Sequence, residues 1–258
     1  MKKTYLVFVV IVVLLVPIGM IGCDFRVAGS GNLQTKDFDL GEFDTIDARD
    51  FFEIDIGPGD TCRVSVTIDD NIFNYLSINV NDGTLSLGLE ECRTFRNVTL
   101  KAKITMPYIE RLILSSGATS TLVGFNGEHD LQLKLSGFSS LNIKEMVTSR
   151  MSVSMSNSKI EGEITTDDAV LNVSDFSNIR LRGSAGNISA TALDSSHMEL
   201  ASFPSHNAHV SLRNFSSASL SLSGRLDVQL RQNSSLFYTG SPLMGNIDID
   251  GLSRMLHK

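Results

Sequence analysis

Two aspartates, Asp175 and Asp194, stand at the same place in successive copies of a short repeated phrase. If the copies stack as neighbouring strands, their backbones come within about 4.8 Å of each other. Carboxylates that close could hold calcium or share the acid–base work of sugar chemistry. The expected role is plainer: both are corner residues, because Asn157 and Asn214 fill the same place in the flanking copies, and the pair is a weak metal candidate. Phe138, Phe176 and Phe215 directly follow the corner in alternate copies, with Ser158 and Ser195 between them. Such a row can stack sugar rings or pack against its small neighbours, and packing is the expectation. Lys134, Arg213 and Arg231 read as one basic column without a clear acidic partner. His206 and His209 follow Pro204 in what reads as a connecting loop, and no third residue completes a zinc site with them. The many serines lack a Gly-x-Ser-x-Gly elbow and are expected on the solvent face and at corners. No catalytic residue and no cofactor emerges.

These residues are placed by a phrase that recurs from Arg111 to the C-terminus at a pitch of about twenty residues, within the range of solenoid repeats. Leu133-Lys134-Leu135-Ser136-Gly137, Leu171-Asn172-Val173-Ser174-Asp175 and Val210-Ser211-Leu212-Arg213-Asn214 show it plainly. Apolar residues stand four and two places before the corner, as Val228 and Leu230 or Ile247 and Ile249, and resume after it, as Leu141 and Ile143. Period two means a strand with one face inward. One copy cannot bury that face, but stacked copies can, each aliphatic side chain contributing roughly 1.5–3 kcal/mol before entropy. No helix separates the copies, and stretches such as 144–149 and 201–207 carry no hairpin dipeptide. Strands so connected stack in parallel by winding, which makes a parallel β-helix rather than a meander. The corner types, Gly137, Asn157, Asp175, Asp194, Asn214 and Gly251, tolerate left-handed backbone. Two places later runs a serine column (Ser139, Ser177, Ser196, Ser216, Ser234, Ser253), expected to bond backbone groups freed at the corner.

Upstream, residues 33–110 read as an irregular strand- and hairpin-rich part of the same domain, with regular coils over 111–258. Asn81-Asp82-Gly83 predicts a tight hairpin, and Asp69-Asp70-Asn71 predicts the start of a short helical turn. A net charge of -7 and scattered basic residues exclude nucleic acid as a partner. Residues 1–22 have the layout of a signal peptide: Lys2 and Lys3, an apolar run from Tyr5 to Val16, then Pro17. Met20-Ile21-Gly22-Cys23 resembles a bacterial lipoprotein processing box, which makes Cys23 the lipidated first residue and 23–32 an anchor and linker. Its membrane contact would then be the lipid on Cys23, on the periplasmic or surface face of the bacterial cell envelope. In such an exported compartment Cys62 and Cys92 could form a disulfide or remain two thiols.

Leu114-Ser115-Ser116-Gly117-Ala118, Leu135-Ser136-Gly137-Phe138-Ser139 and Val173-Ser174-Asp175-Phe176-Ser177 resemble the Leu-Ser-Gly-Ala-Gly phrase of a bacterial envelope family, the putative auto-transporter adhesin, head GIN domain. Gly29-Ser30-Gly31-Asn32, Phe43-Asp44-Thr45-Ile46 and Met106-Pro107 resemble it too, so the likeness spans about residues 29 to 258. It implies an all-β fold, a right-handed parallel β-helix, in an exported and often lipidated protein, and it brings no catalytic residues. In this chain Phe or Ser often replaces the family's Ala, and Asp or Asn its Gly. The function expected is that of a non-catalytic, adhesin-like envelope lipoprotein whose ribbed polar face contacts a glycan or another protein. The alternative is a carbohydrate-active enzyme, a polysaccharide lyase or glycoside hydrolase, which needs acidic and basic groups gathered on one exposed strand face. A purely structural role is the third possibility.

Overall fold

The computed structural model describes residues 26–91 and 93–258; the expected signal peptide (1–22), Cys23 and Cys92 lie outside the described residues. From Arg111 on, the chain winds as the repeats require. Two parallel ladders of strands meet at a sharp corner in every coil. The approach ladder holds Arg111–Leu114, Leu131–Leu135, then 151–156, 168–174, 187–192 and 207–212, Arg225–Leu230 and Leu243–Ile249. The exit ladder holds Thr119–Val123, then 140–144, 159–163, 178–182 and 197–200, Ser217–Leu222, Ser235–Thr239 and Arg254–His257. Like lies over like: Leu114, Leu135, Met155, Val173, Ala192, Leu212, Leu230 and Ile249 are opposite one another. With period two along each strand, this column from Leu114 to Leu230 and the exit-side Leu141, Ile160, Ile179, Met198, Ala218 and Leu236 form one buried interior.

The third side of the coil departs from expectation. Segments read as connections, among them the one carrying His206 and His209, are continuous with the ladders: Ser140–Ser156, Lys159–Ser174, Asn178–Ala192 and His197–Leu212 each run as a single strand around the bend. The alternation persists there, Phe203, Ser205 and Ala208 pointing inward while His206 and His209 face solvent. The bend is made by local positive φ, at Glu145 in one coil and at Gly183 in another. A Cβ on Gly183 would lie 2.0 Å from the Ile164 carbonyl oxygen, so the close approach of coils at that point requires glycine.

The N-terminal part caps the solenoid by a detour. Thr45–Ala48 and Glu53–Pro58 form a coil that pairs in parallel with Arg111–Leu114 and Thr119–Val123. Between them the chain folds back: Arg63–Asp69, a 3-10 turn over Asp70–Tyr75, then the hairpin Leu76–Asn81/Thr84–Leu89, whose Asp82 (φ 47) and Gly83 (φ 70) take the left-handed conformations the turn demands. Thr84–Leu89 and Leu100–Met106 make a further coil on the outer side of Thr45–Pro58. Antiparallel Arg63–Asp69 and Leu33–Phe38 then close the exit ladder. The expected anchor and linker, 23–32, is built in from Arg26 onward. Arg26–Ala28 pairs with Thr94–Arg96, and the buried Asp69 carboxylate accepts from the Gly31 amide (2.6 Å) and the Thr99 amide (2.8 Å). Asn71 holds Ser30 N–H (3.0 Å) and donates to the Ala28 carbonyl (2.8 Å). Composition marked that stretch as a turn; its partners forty residues away fix it.

At the other end, among the described residues, the last coil has a neighbour on one side only. Ile247 and Ile249, counted with the inward columns from the sequence, are 39% and 37% exposed because no further coil covers them.

Candidate functional site

The corner is where the chain does something its fold does not require. Each full corner places two successive residues at positive φ: Asp50 and Phe51 (62, 63), Ser116 and Gly117 (51, 77), Gly137 and Phe138 (64, 66), Asp175 and Phe176 (55, 62), Asp194 and Ser195 (54, 62), Asn214 and Phe215 (53, 63), Gln232 and Asn233 (55, 63). Their amides and carbonyls form a ladder of their own. Phe51 N–H bonds the Ser116 carbonyl at 3.0 Å, Phe138 N–H that of Asn157 at 2.7 Å, Phe176 N–H that of Asp194 at 3.0 Å and Phe215 N–H that of Gln232 at 3.0 Å. Beneath them the serine column is buried, as expected of hydroxyls that replace lost backbone partners. Ser139 Oγ donates to the Ser136 carbonyl (2.7 Å), Ser196 Oγ to that of Leu193 (2.6 Å) and Ser234 Oγ to that of Arg231 (2.5 Å). Ser216 Oγ is equally buried and has no hydrogen-bond partner.

The phenylalanines are not packed into the interior. Phe51, Phe138, Phe176 and Phe215 are 76%, 82%, 77% and 66% exposed, so the expectation of corner packing is overturned. A bulky residue in the left-handed region costs about 1–3 kcal/mol unless its surroundings fix it, and exposed phenyl surface adds no stability. Two more corrections sharpen the column. Ser158 is not a small residue between two phenylalanines: the corner at Asn157 is one residue short, and Ser158 belongs to the serine column, its amide donating to Ser177 Oγ at 3.1 Å. Phe51, missed in the sequence because the detour hides its coil from the regular spacing, belongs with the others, since Ala48 lies over Leu114. Along the axis the column therefore reads Phe51, Gly117, Phe138, a gap at the short corner, Phe176, Ser195, Phe215, Asn233. Large and small alternate, coil by coil. A Cβ on Gly117 would lie 2.4 Å from the Phe51 ring, so that ring lies across its small neighbour.

The acidic candidates part company. Asp175 Oδ2 accepts from Ser156 Oγ and Ser174 Oγ, both at 2.7 Å, and those two hydroxyls hold its carboxyl below the usual range. Asp194 Oδ1 instead accepts from Asn214 Nδ2 at 2.7 Å. The two carboxylates thus engage coils on opposite sides, and among the described residues no group of three or more His, Cys, Asp or Glu side chains is placed to hold a metal ion. Cys62 carries a free thiol that donates to the Phe43 carbonyl at 3.3 Å, and burial pushes its pKa up.

The basic column needs correction as well. Lys134 shares its register with Gln229 and Asp248, two places ahead of Arg213 and Arg231. Arg231 also has acidic partners, Asp248 and, at 3.4 Å, Asp250. Charges do gather on the exit face, where Arg180 bridges Glu199 (2.6 Å) and Glu161 (3.9 Å) while Lys159 holds Glu161 at 2.9 Å. Yet Arg180 holds the Glu199 carboxyl below its ordinary value, the opposite of what a general acid needs. Asp47, whose carboxyl burial pushes up, sits in the approach ladder between Ser86 and Ile113, neither of them a second carboxylate.

The sequence profile of the putative auto-transporter adhesin, head GIN domain family matches residues 42–242. The chain belongs to this family. Solved structures share the fold of this head GIN domain at low identity. A crystal structure described as a putative adhesin from Parabacteroides merdae is 16% identical, with a TM-score of 0.81 over 91% of this chain and 99% of that one. One described as a putative lipid binding protein from Parabacteroides distasonis is 18% identical, with a TM-score of 0.76 over 90% and 99%. A comparison with curated proteins finds no match. The family's name is that of an adhesin. No helix among the described residues is long and apolar enough to cross a membrane.

Proposed function

We propose that this protein is a non-catalytic, adhesin-like binding protein of the bacterial cell envelope, tethered by lipid on Cys23, whose contact surface is the corner ridge. The observation that carries the reading is the column of exposed phenylalanines at positive φ, a feature that costs stability while burying little of the rings in return. The family name and the paired, depressed carboxylates support binding over bond cleavage. The processing box before Cys23 supports the tether. The test is a glycan array and an envelope-protein pull-down with the full-length protein, each hit followed by a product-release assay. Retention without release is expected, and release of shortened sugars sinks the non-catalytic reading. For the tether, Cys23→Ser is expected to move the protein from the membrane fraction to the soluble one; an unchanged distribution removes it.

A further inference from the structure

Resting on that reading, we infer that the corner column is a stacking ladder for a linear, β-linked polysaccharide lying along the solenoid axis, with one sugar ring in two seated on a phenyl plate. The spacing comes from the register. Ala48, Leu114, Leu135, Met155, Val173, Ala192 and Leu212 are successive rungs, so Phe51, Phe138, Phe176 and Phe215 recur at every second rung, about 9.6 Å apart along the axis. In an extended glycan joined through equatorial bonds, each ring is turned about half a revolution from the last. The same face therefore returns at every second ring, and the ladder's alternation of plate and small residue matches it. Ser195 leaves room for the intervening ring; over Gly117 the Phe51 ring already fills that space, so the open run of the ladder is Phe138 to Phe215.

The flanks favour sugar over peptide. Directly before the plates stand Asp50, Asp175 and Asn214, with Asp194 before Ser195. Asp50 Oδ2 accepts from the Leu89 amide, Asp175 Oδ2 from Ser156 and Ser174, and Asp194 Oδ1 from Asn214, and the second carboxylate oxygen of each can accept from a ring hydroxyl. A β-strand repeats every two residues, about 6.6–6.8 Å, and misses the pitch. A polyproline helix repeats at about 9.3 Å and meets it, but its exposed groups are carbonyl acceptors, to which the carboxylates directly before Phe51 and Phe176 cannot donate. A lipid surface is disfavoured by carboxylates next to the rings and by a net charge of -7.

The experiment is calorimetric titration of the full-length protein with β-1,4-linked hexasaccharides of glucose, N-acetylglucosamine, xylose and mannose. An α-1,4-linked glucose hexasaccharide, a proline-rich peptide and phosphatidylcholine vesicles serve as comparators. At least one β-linked series is expected to bind more tightly as it lengthens from three to six rings. Phe138→Gly, Phe176→Gly and Phe215→Gly are each expected to weaken binding about five- to ten-fold, and the triple variant to abolish it. Thermal unfolding of the same variants should be unchanged or shifted upward, since glycine relieves the positive φ, which separates lost binding from lost structure. Undiminished β-glycan binding by a folded triple variant overturns the ladder and leaves binding elsewhere on the protein intact. Phenylalanine-dependent binding of the α-linked sugar, the peptide or the vesicles alone overturns the ligand class but keeps the ridge. Failure of every probe, together with an empty glycan array and pull-down, removes the binding reading itself.

Discussion

Within one corner, neighbouring residues act in opposite senses: a phenylalanine gives up stability and a serine two places after the corner residue supplies it. The serine's share can be isolated, because the column contains its own control. Ser196 is 1% exposed and donates to the Leu193 carbonyl, whereas Ser216, also 1% exposed, has an unpartnered hydroxyl. Removing a made hydrogen bond from a buried site costs about 1 kcal/mol, while removing an unpaired buried hydroxyl costs nothing and relieves desolvation. Ser196→Ala is therefore expected to lower the urea unfolding midpoint, and Ser216→Ala to leave it or raise it. Equal losses in both would mean that these serines act through shape alone. The serine column and the left-handed corner were both legible in the chain, because residue type reports directly on backbone conformation there. The exposure of the phenylalanines was not. Hydrophobicity argues for burial, and only the ladder shows that the second corner position projects away from the interior.

Between coils, the outward faces are joined by side-chain ladders as regular as the backbone. At the start of the approach ladder, Asn187 Nδ2 donates to Asp168 Oδ1 (2.9 Å), Asn207 Nδ2 to Asn187 Oδ1 (3.0 Å), and the Arg225 amide to Asn207 Oδ1 (2.9 Å). One coil further, Asp227 takes both Arg225 nitrogens and accepts from the Asn246 amide at 2.7 Å. The Arg225 guanidinium, then the Asn246 amide, lower the Asp227 carboxyl to about 2. Since the folded-state value lies below the unfolded one, this tie is fully present above about pH 4 and is lost as pH falls through about 2. Asp227→Asn should thus flatten the fall in melting temperature between pH 4 and pH 2; an unaltered slope would show that the tie does not survive in solution. Sequence columns found the two faces that meet at the corner, because there the alternation is strict and the corner sets its phase. They missed the third side: Glu145 and Gly183 shift the register between ladders, so columns counted from one corner lose their phase before the next. They also missed the order of the N-terminal coils, since Thr45–Pro58 pairs with strands on both sides that lie far away in the chain.

A molecule built this way is nearly one-dimensional, each coil stabilised chiefly by its two neighbours. Its ends are then the sites where stability is decided, and here they differ. The N-terminal end is closed by antiparallel Leu33–Phe38, Arg63–Asp69 and Leu76–Asn81, and pinned again where Asp69 and Asn71 grip the stretch from Ala28 to Gly31. At the opposite end, Leu243–Ile249 and Arg254–His257 each pair with one neighbour, and their apolar side chains remain open to water. Local opening should therefore start at that end and propagate inward, since the last coil parts from one neighbour where an inner coil must part from two. Amide exchange is expected to be fastest over 243–257, slowest over 151–212 where coils are covered on both sides, and slow again over 63–69 despite its distance from the centre. Exchange that is uniform from 111 to 257 would instead mean that the coils open together, as a single cooperative unit. A bound polysaccharide spanning Phe138 to Phe215 would slow exchange in those coils and leave 243–257 as it was, which ties the ridge to the mechanics of the whole solenoid.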